Sequence, residues 1–276
     1  MLAELISIPT STGQPLDGAF CAAAVSRGSI QLLHGATMNF YVGPPRFLPP
    51  FLTARGWDCL AYSRRGHDVL STRASRDVEG GAYQINGEAL EDDELARASL
   101  IERTGRIPVP IGHSHGGMLA AAHVATHPET PALVLLSAHH GGKNIMRLMA
   151  DGGLMACERF DEMTAEARAL VAEGRGNQLM QGAGWWYLIS AASYVDNYDN
   201  TPDILEAAPK ITCPVLYIVG ETEPEARYPI TAFADRCAGP VETLRIQGCG
   251  HFCTGFEERV AGIVGDWLDS LLPSSA

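Results

Sequence analysis

Four runs in this 276-residue chain, GSIQLLHG (28–35), WDCLAYS (57–63), PALVLLSA (131–138) and CPVLYIVG (213–220), are largely apolar without regular alternation. A strand with one wet face alternates apolar and polar residues, so such runs read as strands buried on both faces. Helical patterns lie between them: PPRFLPPFLTARG (44–56) with Gly56 as its stop, INGEALEDDELARASLIERTG (85–105), GGMLAAAHVATHPE (116–129), PITAFADRCAG (229–239) and GFEERVAGIVGDWLDSLL (255–272). Two strands around a Gly/Pro turn precede the series (4–25), RIPVPIG (106–112) supplies a fifth strand and VETLRIQG (241–248) the last. Strand, helix and strand in alternation predict an α/β fold, a mostly parallel eight-stranded sheet with helices on both faces. Pro108 and Pro110 sit awkwardly in the fifth strand, because each removes a ladder donor.

Residues 139–213 show no strand pattern, only the helical MTAEARALVAEG and the aromatic GAGWWYLISAASYVDNYDN. A bare loop of that length does not suit a compact domain. The expectation is a helical cap inserted after the sixth strand, with 1–138 and 214–276 forming the core.

Bulk composition narrows the function. Apolar residues make up 46% and charged residues 19%, and the net charge is −12 with no basic run. Phosphate neutralisation needs clustered Lys and Arg, so nucleic acid is not the partner. Seven cysteines form no CxxC pair, which argues for buried thiols in a reducing compartment rather than a disulfide framework. Cys249 and Cys253 flank His251, and packing is the plainer reading for both. The start MLAELISIPTSTG lacks the basic region and apolar core of a signal peptide, and acidic residues interrupt every long apolar stretch. These features predict a cytoplasmic protein without a membrane span, acting on a small molecule; a homo-oligomer stays open.

The chemistry concentrates at PIGHSHGGML (110–119), where Ser114 stands between Gly112 and Gly116. This G-x-S-x-G follows a predicted strand and opens a predicted helix, the context in which a strained turn lifts a serine hydroxyl above a sheet. Serine needs a base, and His251, between the last strand and the last helix, comes out at the same sheet edge. His113 and His115 lie too close in sequence and read as packing or pocket wall. The base needs a carboxylate: Glu223 follows the seventh strand, with Glu221 as fallback and Glu225 nearby. The order serine, acid, histidine then fits a nucleophile-elbow hydrolase. Two backbone donors complete it, His115 N–H after the nucleophile and Ala36 N–H after the third strand, with His34 buttressing that loop.

With these residues in place the chain resembles the α/β-hydrolase superfamily over nearly its whole length. Within it, HGATMNFY (34–41), SRRGHD (63–68), GAYQINGEALED (81–92), SYVDNYDN (193–200) and GCGHFCTGFEERV (248–260) resemble the branch of siderophore ester hydrolases and related bacterial hydrolases. The resemblance implies a serine hydrolase acting through Ser114, Glu223 and His251, with no metal or organic cofactor, and leaves the substrate open. Relatives often carry glycines where this chain has Ala36-Thr37-Met38, and many use Asp as the acid.

For the pocket, Asn39 and Tyr41 lie beyond the oxyanion loop, and His139 and His140 end the sixth strand, where open sheets bind ligands. Trp185 and Trp186 in the cap suit a flat or apolar substrate. The RRGHD turn carries no assigned chemistry. The leading expectation is hydrolysis of a carboxylic ester through an acyl-enzyme. Amide, lactone or β-diketone cleavage would use the same groups. Cofactor-free dioxygenases are similar at His113-Ser114-His115, but their acid follows the sixth strand, where this chain has SAHHGG. A receptor-like binding protein is the third alternative.

Overall fold

The computed structural model describes residues 2–72, 78–184 and 188–271. Eight strands form one sheet: β1 (Glu4–Ile8), β2 (Leu16–Cys21), β3 (Gly28–Leu33), β4 (Trp57–Tyr62), β5 (Val109–His113), β6 (Leu133–Leu136), β7 (Val215–Gly220) and β8 (Val241–Ile246). Their order across the sheet is β1-β2-β4-β3-β5-β6-β7-β8. Only β2 runs antiparallel, pairing with β1 and β4; the pairs from β4 through β3 to β8 are parallel.

The strands from β3 to β7 are buried at every position, because successive side chains enter opposite cores, and most of those positions are apolar. Leu33, Leu135 and Tyr217 pack beneath α2 (Asn86–Thr104), α3 (His115–Val124) and α8 (Ile230–Arg236). Their neighbours Leu32, Leu136 and Ile218 pack beneath α1 (Pro44–Ala54) and α9 (Glu257–Leu271). The prolines of β5 find tolerable places. Pro108 precedes the strand, and β6 joins only from Ile111, one residue past Pro110.

The long insertion contains α4 (Ile145–Asp151), α5 (Phe160–Ala172), α6 (Ala191–Asp199) and α7 (Ile204–Ala207). It also holds a hairpin, Leu179–Gln181 against Leu188–Ser190, that the sequence reading missed. Three-residue strands are too short to display a period of two. The first three helices and the hairpin gather around their own core, including Met146, Phe160, Met163 and Tyr194. Ile204, Ala207 and Ile211 belong instead to the core under the sheet, so the chain is already back on the main body before β7 begins. Trp185 and Trp186 lie outside the described residues. Among those described, no helix is long and apolar enough to cross a membrane.

Two glycines govern the junction of β5 and α3. A Cβ on Gly112 would stand 2.4 Å from the carbonyl oxygen of Gly116. One on Gly116 would stand 2.3 Å from the carbonyl oxygen of His34. The helix can therefore start against its own strand, and against the end of β3, only where side chains are missing. Gly112→Ala is expected to destabilise the fold by about 2–3 kcal/mol or more through overpacking. Gly262→Ala is the control, since its Cβ would meet nothing within 4 Å in α9. That substitution is expected to stabilise by about 0.5–1 kcal/mol, and urea unfolding of the two variants checks both signs.

Candidate active site

Ser114 sits at the turn from β5 into α3 with φ 55° and ψ −118°, a backbone conformation that costs a non-glycine residue strain. Its N–H donates to the carbonyl of Leu136 at 2.9 Å, which ties the turn to β6. The end of β3 lies against it, so close that a Cβ on Gly35 would be 3.3 Å from the Ser114 Cβ. These constraints aim the hydroxyl out over the carboxyl ends of the strands.

His251 arrives there on the loop between β8 and α9, its Nε2 3.0 Å from Ser114 Oγ. On the far side of the ring, Nδ1 donates to Glu223 Oε1 at 2.7 Å. Glu223, just past β7, is 6% exposed, and its other oxygen accepts from Ser137 Oγ at 2.5 Å and Gly220 N–H at 2.6 Å. Burial pushes the Glu223 carboxyl up, but the hydrogen bond and charge of His251, with Ser137 and the Gly220 N–H, outweigh it. The net shift is downward, so the carboxylate is ionised and can hold the imidazole in one tautomer. Glu221 accepts instead from Gly248 N–H at 2.9 Å, and Glu225 pairs with Arg245, so neither is the partner of His251.

The other histidines have distinct positions. His113 Nε2–H donates to the backbone carbonyl of His251 at 2.9 Å and so holds the loop that presents it. Desolvation, with the nearby His251, pushes His113 down to about 3. His115 and His139 both line the cavity above Ser114. The Gly141 N–H donates to His139 Nδ1 at 3.1 Å, so in the neutral ring Nε2 carries the hydrogen. That hydrogen goes to His115 Nδ1, 3.2 Å away, and His115 Nε2–H must then donate to the side chain of Gln84 at 2.7 Å. The tautomers and the Gln84 amide orientation follow from this chain of donors. His140 turns away from the cavity; its Nδ1–H donates to Gly141 O at 3.1 Å.

Ala36 and His115 flank Ser114 in the cavity wall, and neither backbone N–H has a protein acceptor among the described residues. The loop carrying Ala36 rests on buried polar groups: His34, which was expected to buttress it, and Arg64, Asp93 and Tyr62, whose role the sequence did not reveal. His34 Nδ1–H donates to Gly35 O at 2.8 Å, while its Nε2 accepts from Arg64 N–H at 3.1 Å. The fully buried Arg64 guanidinium also donates to the His34 carbonyl and lies 3.5 Å from Asp93, which accepts from Tyr62 Oη at 2.6 Å. The arginine of the RRGHD turn is thus a scaffold for the loop. Ser137 was missed for a similar reason. Nothing local marks it, although its φ of 47° and its bond to Glu223 single it out in three dimensions.

The cavity measures about 370 Å³. Thr37, Met38 and Val69 form one side, and Ile145, Met146, Met149, Leu154 and Met155 of the insertion form the other. Asn39 and Tyr41 are not in its wall. The Asn39 amide donates to Asp68 Oδ1 at 2.8 Å and its oxygen accepts from Tyr41 N–H, leaving the Tyr41 ring 62% exposed. Cys249 and Cys253 are buried, and none of the seven cysteines is in a disulfide.

A serine in a strained strand-to-helix turn, joined to histidine and carboxylate at the carboxyl edge of this sheet, is the arrangement of a class of proteins, and sequence comparison agrees. The model of the alpha/beta hydrolase family matches residues 32–264, and the chain belongs to that family of hydrolases. No curated protein matches the sequence. Among solved structures, the alpha/beta hydrolase GrgF from Penicillium sp. sh18 is similar over 99% of both chains, with a TM-score of 0.75 and 17% identity. Est1E from Butyrivibrio proteoclasticus, bound to ferulic acid, is similar over 96% of this chain and 98% of its own, with a TM-score of 0.71 and 17% identity. A thermostable carboxyl esterase from Bacillus coagulans, in complex with glycerol, covers 99% of each chain with a TM-score of 0.69 and 16% identity.

The buried histidines make stability depend on pH. Burial pushes His139 down to about 3, as it does His113. An unfolded histidine takes up its proton near 6.5, whereas these do so only near 3, so their contribution is complete above 6.5 and is lost as pH falls toward 3. Each adds a slope of at most about 1.4 kcal/mol per pH unit in that window. His139→Asn is expected to flatten the fall in urea-unfolding free energy between about pH 6 and 4. An unchanged slope would mean that His139 is charged in the folded protein.

Proposed function

We propose that this protein hydrolyses carboxylic esters through an acyl-enzyme on Ser114, with His251 as general base and Glu223 as its orienting acid. The observation that carries the proposal is the unbroken chain from Ser114 Oγ through His251 to Glu223, at 3.0 and 2.7 Å, on the floor of a cavity. In the first half-reaction Ser114 Oγ attacks the ester carbonyl as His251 Nε2 takes its proton. The tetrahedral oxyanion turns to the Ala36 and His115 N–H groups, each such donor being worth about 3 kcal/mol. Collapse breaks the bond to the alcohol oxygen, which leaves with the proton from His251. Water then attacks the acyl carbonyl, His251 takes its proton, and the acid departs as Ser114 is protonated again.

Two considerations support an ester of a neutral, largely apolar acid. Among the described residues no Lys, Arg, Asp or Glu lines the cavity, whereas aliphatic and methionine side chains dominate its wall. Est1E was bound to ferulic acid and the Bacillus coagulans protein is a carboxyl esterase, which favours esters over amides on the same groups. Thr37, Asn197, Thr201 and Tyr228, with His115 and His139, offer the polar contacts that would orient such a substrate.

A fluorophosphonate probe should label Ser114 and no other serine, as read by peptide mass spectrometry, and His251→Ala should not be labelled. On a panel of p-nitrophenyl esters of increasing acyl length, Ser114→Ala and His251→Ala are each expected to lose about 10⁴-fold or more in kcat. Full activity in both variants would sink the proposal. Ser137→Gly keeps a residue that tolerates positive φ but removes the donor to Glu223. It is expected to lower kcat by about 10-fold or more, as for a lost hydrogen bond to a charge, while the fold persists.

A further inference from the structure

Glu94 on α2, His123 in the last turn of α3 and His127 just past the end of that helix bring three ligand atoms within 4.8 Å of one another. His127 Nε2 lies 3.2 Å from Glu94 Oε2, and His123 Nδ1 lies 3.6 Å from the same oxygen. The other nitrogen of His127 lies 2.9 Å from the carbonyl oxygen of His123. A carbonyl only accepts, so His127 Nδ1 carries a hydrogen and, in the neutral ring, Nε2 presents a lone pair to a carboxylate. Two lone pairs at that distance repel. Something positive belongs between them, either a proton on His127 or a metal ion.

We propose that Glu94, His123 and His127 form a site for a borderline divalent ion such as Zn²⁺ or Co²⁺, which clamps α2 to α3. Imidazole and carboxylate donors suit such ions, with bonds of about 2.0–2.2 Å. Donors on a tetrahedral ion at those lengths stand roughly 3.3 Å apart, close to the two spacings here. The backbone bond to His127 Nδ1–H is the outer contact that fixes a liganding tautomer. His123 is buried and the Glu94 Oε2 atom is itself shielded from solvent without a hydrogen-bond partner among the described residues, whereas His127 is partly exposed, so an ion would enter from the His127 side.

Two features oppose binding, and the geometry accommodates both. Arg97 stands 3.7 Å from Glu94 Oε1, but its other terminal nitrogen is held by Glu129. The two imidazoles are stacked, with centroids 4.2 Å apart and planes at 20°, and an ion should lie in both ring planes. Binding therefore opens the stack, and His127, 22% exposed, has room to turn about its Nδ1–H bond. His123 lies nine residues beyond Ser114, roughly 13 Å along the helix, so the ion would serve stability and not the hydrolytic step.

The test uses the full chain, stripped with chelator and titrated with Zn²⁺ by calorimetry, with Co²⁺ absorption as a report on coordination. Wild type is expected to bind a single Zn²⁺, to rise in Tm with added Zn²⁺, and to give the intense visible bands of low-coordinate Co²⁺. Glu94→Gln and His127→Gln remove partly exposed side chains, so circular dichroism should show both folded. Each is expected to weaken Zn²⁺ binding by about 10-fold or more and to abolish the rise in Tm. Absence of stoichiometric binding by wild type would leave a His127–Glu94 ion pair and overturn the proposal. So would Zn²⁺ binding unchanged in both variants.

Discussion

The close approach of three backbone segments around Ser114 is the constraint on which the rest of the site depends. The end of β3, the end of β5 and the first turn of α3 meet with carbonyl oxygens where Cβ atoms would otherwise stand. Gly112 and Gly116 make that meeting sterically allowed, and the bond from Ser114 N–H to Leu136 fixes its position relative to β6. The strain of a positive φ at Ser114 is held by this packing. Once the elbow is fixed, the parallel order of β6, β7 and β8 brings Ser137, Glu223 and His251 to the same edge in turn. Each follows its own strand by only a few residues, so the geometry is inherited from the sheet rather than from long loops.

Polar groups buried beneath the site divide into two sets with different work. His34, Arg64, Asp93 and Tyr62 hold the loop that carries Ala36, and desolvation, with the charge of Arg64, keeps His34 well below the ordinary histidine range. Desolvation pushes Asp93 up to about 6, against the pull of Arg64 and Tyr62. The network ties the loop to the main body, although Arg64 Nε and Asp93 Oδ2 are buried without a hydrogen-bond partner among the described residues. The second set, His139, His115 and Gln84, runs from the cavity toward the base of α2 and uses neutral tautomers throughout. The insertion adds an apolar wall to the cavity, bringing methionines whose flexible side chains can adapt to what the cavity holds.

The architecture was legible in the sequence because most strands buried on both faces are largely apolar runs, with helical stretches between them. The elbow was legible because glycines are the only residues that satisfy its contacts. His251 and a carboxylate just past β7 followed from chain order, since a parallel sheet places the residues after successive strands along one edge. Asn39, Tyr41 and His140 were a different case. They sit near the site in sequence, yet side-chain partners such as Asp68 for Asn39 decide that they face elsewhere. The short hairpin in the insertion lacked enough residues to show a pattern.

The sequence by itself determined the family, the sheet, the elbow and the order of serine, acid and histidine, because all of these rest on periodicity and on local steric demands. Only the tertiary structure decided which carboxylate meets His251, which residues wall the cavity, and what Arg64 and Ser137 do. These depend on contacts between segments far apart in the chain, such as Ser137 with Glu223 or His34 with Arg64. The pairing of Glu94 with His123 and His127 belongs to the same category. The turn that ends α3 puts the two histidines together, but only the packing of α2 against α3 brings the carboxylate to them.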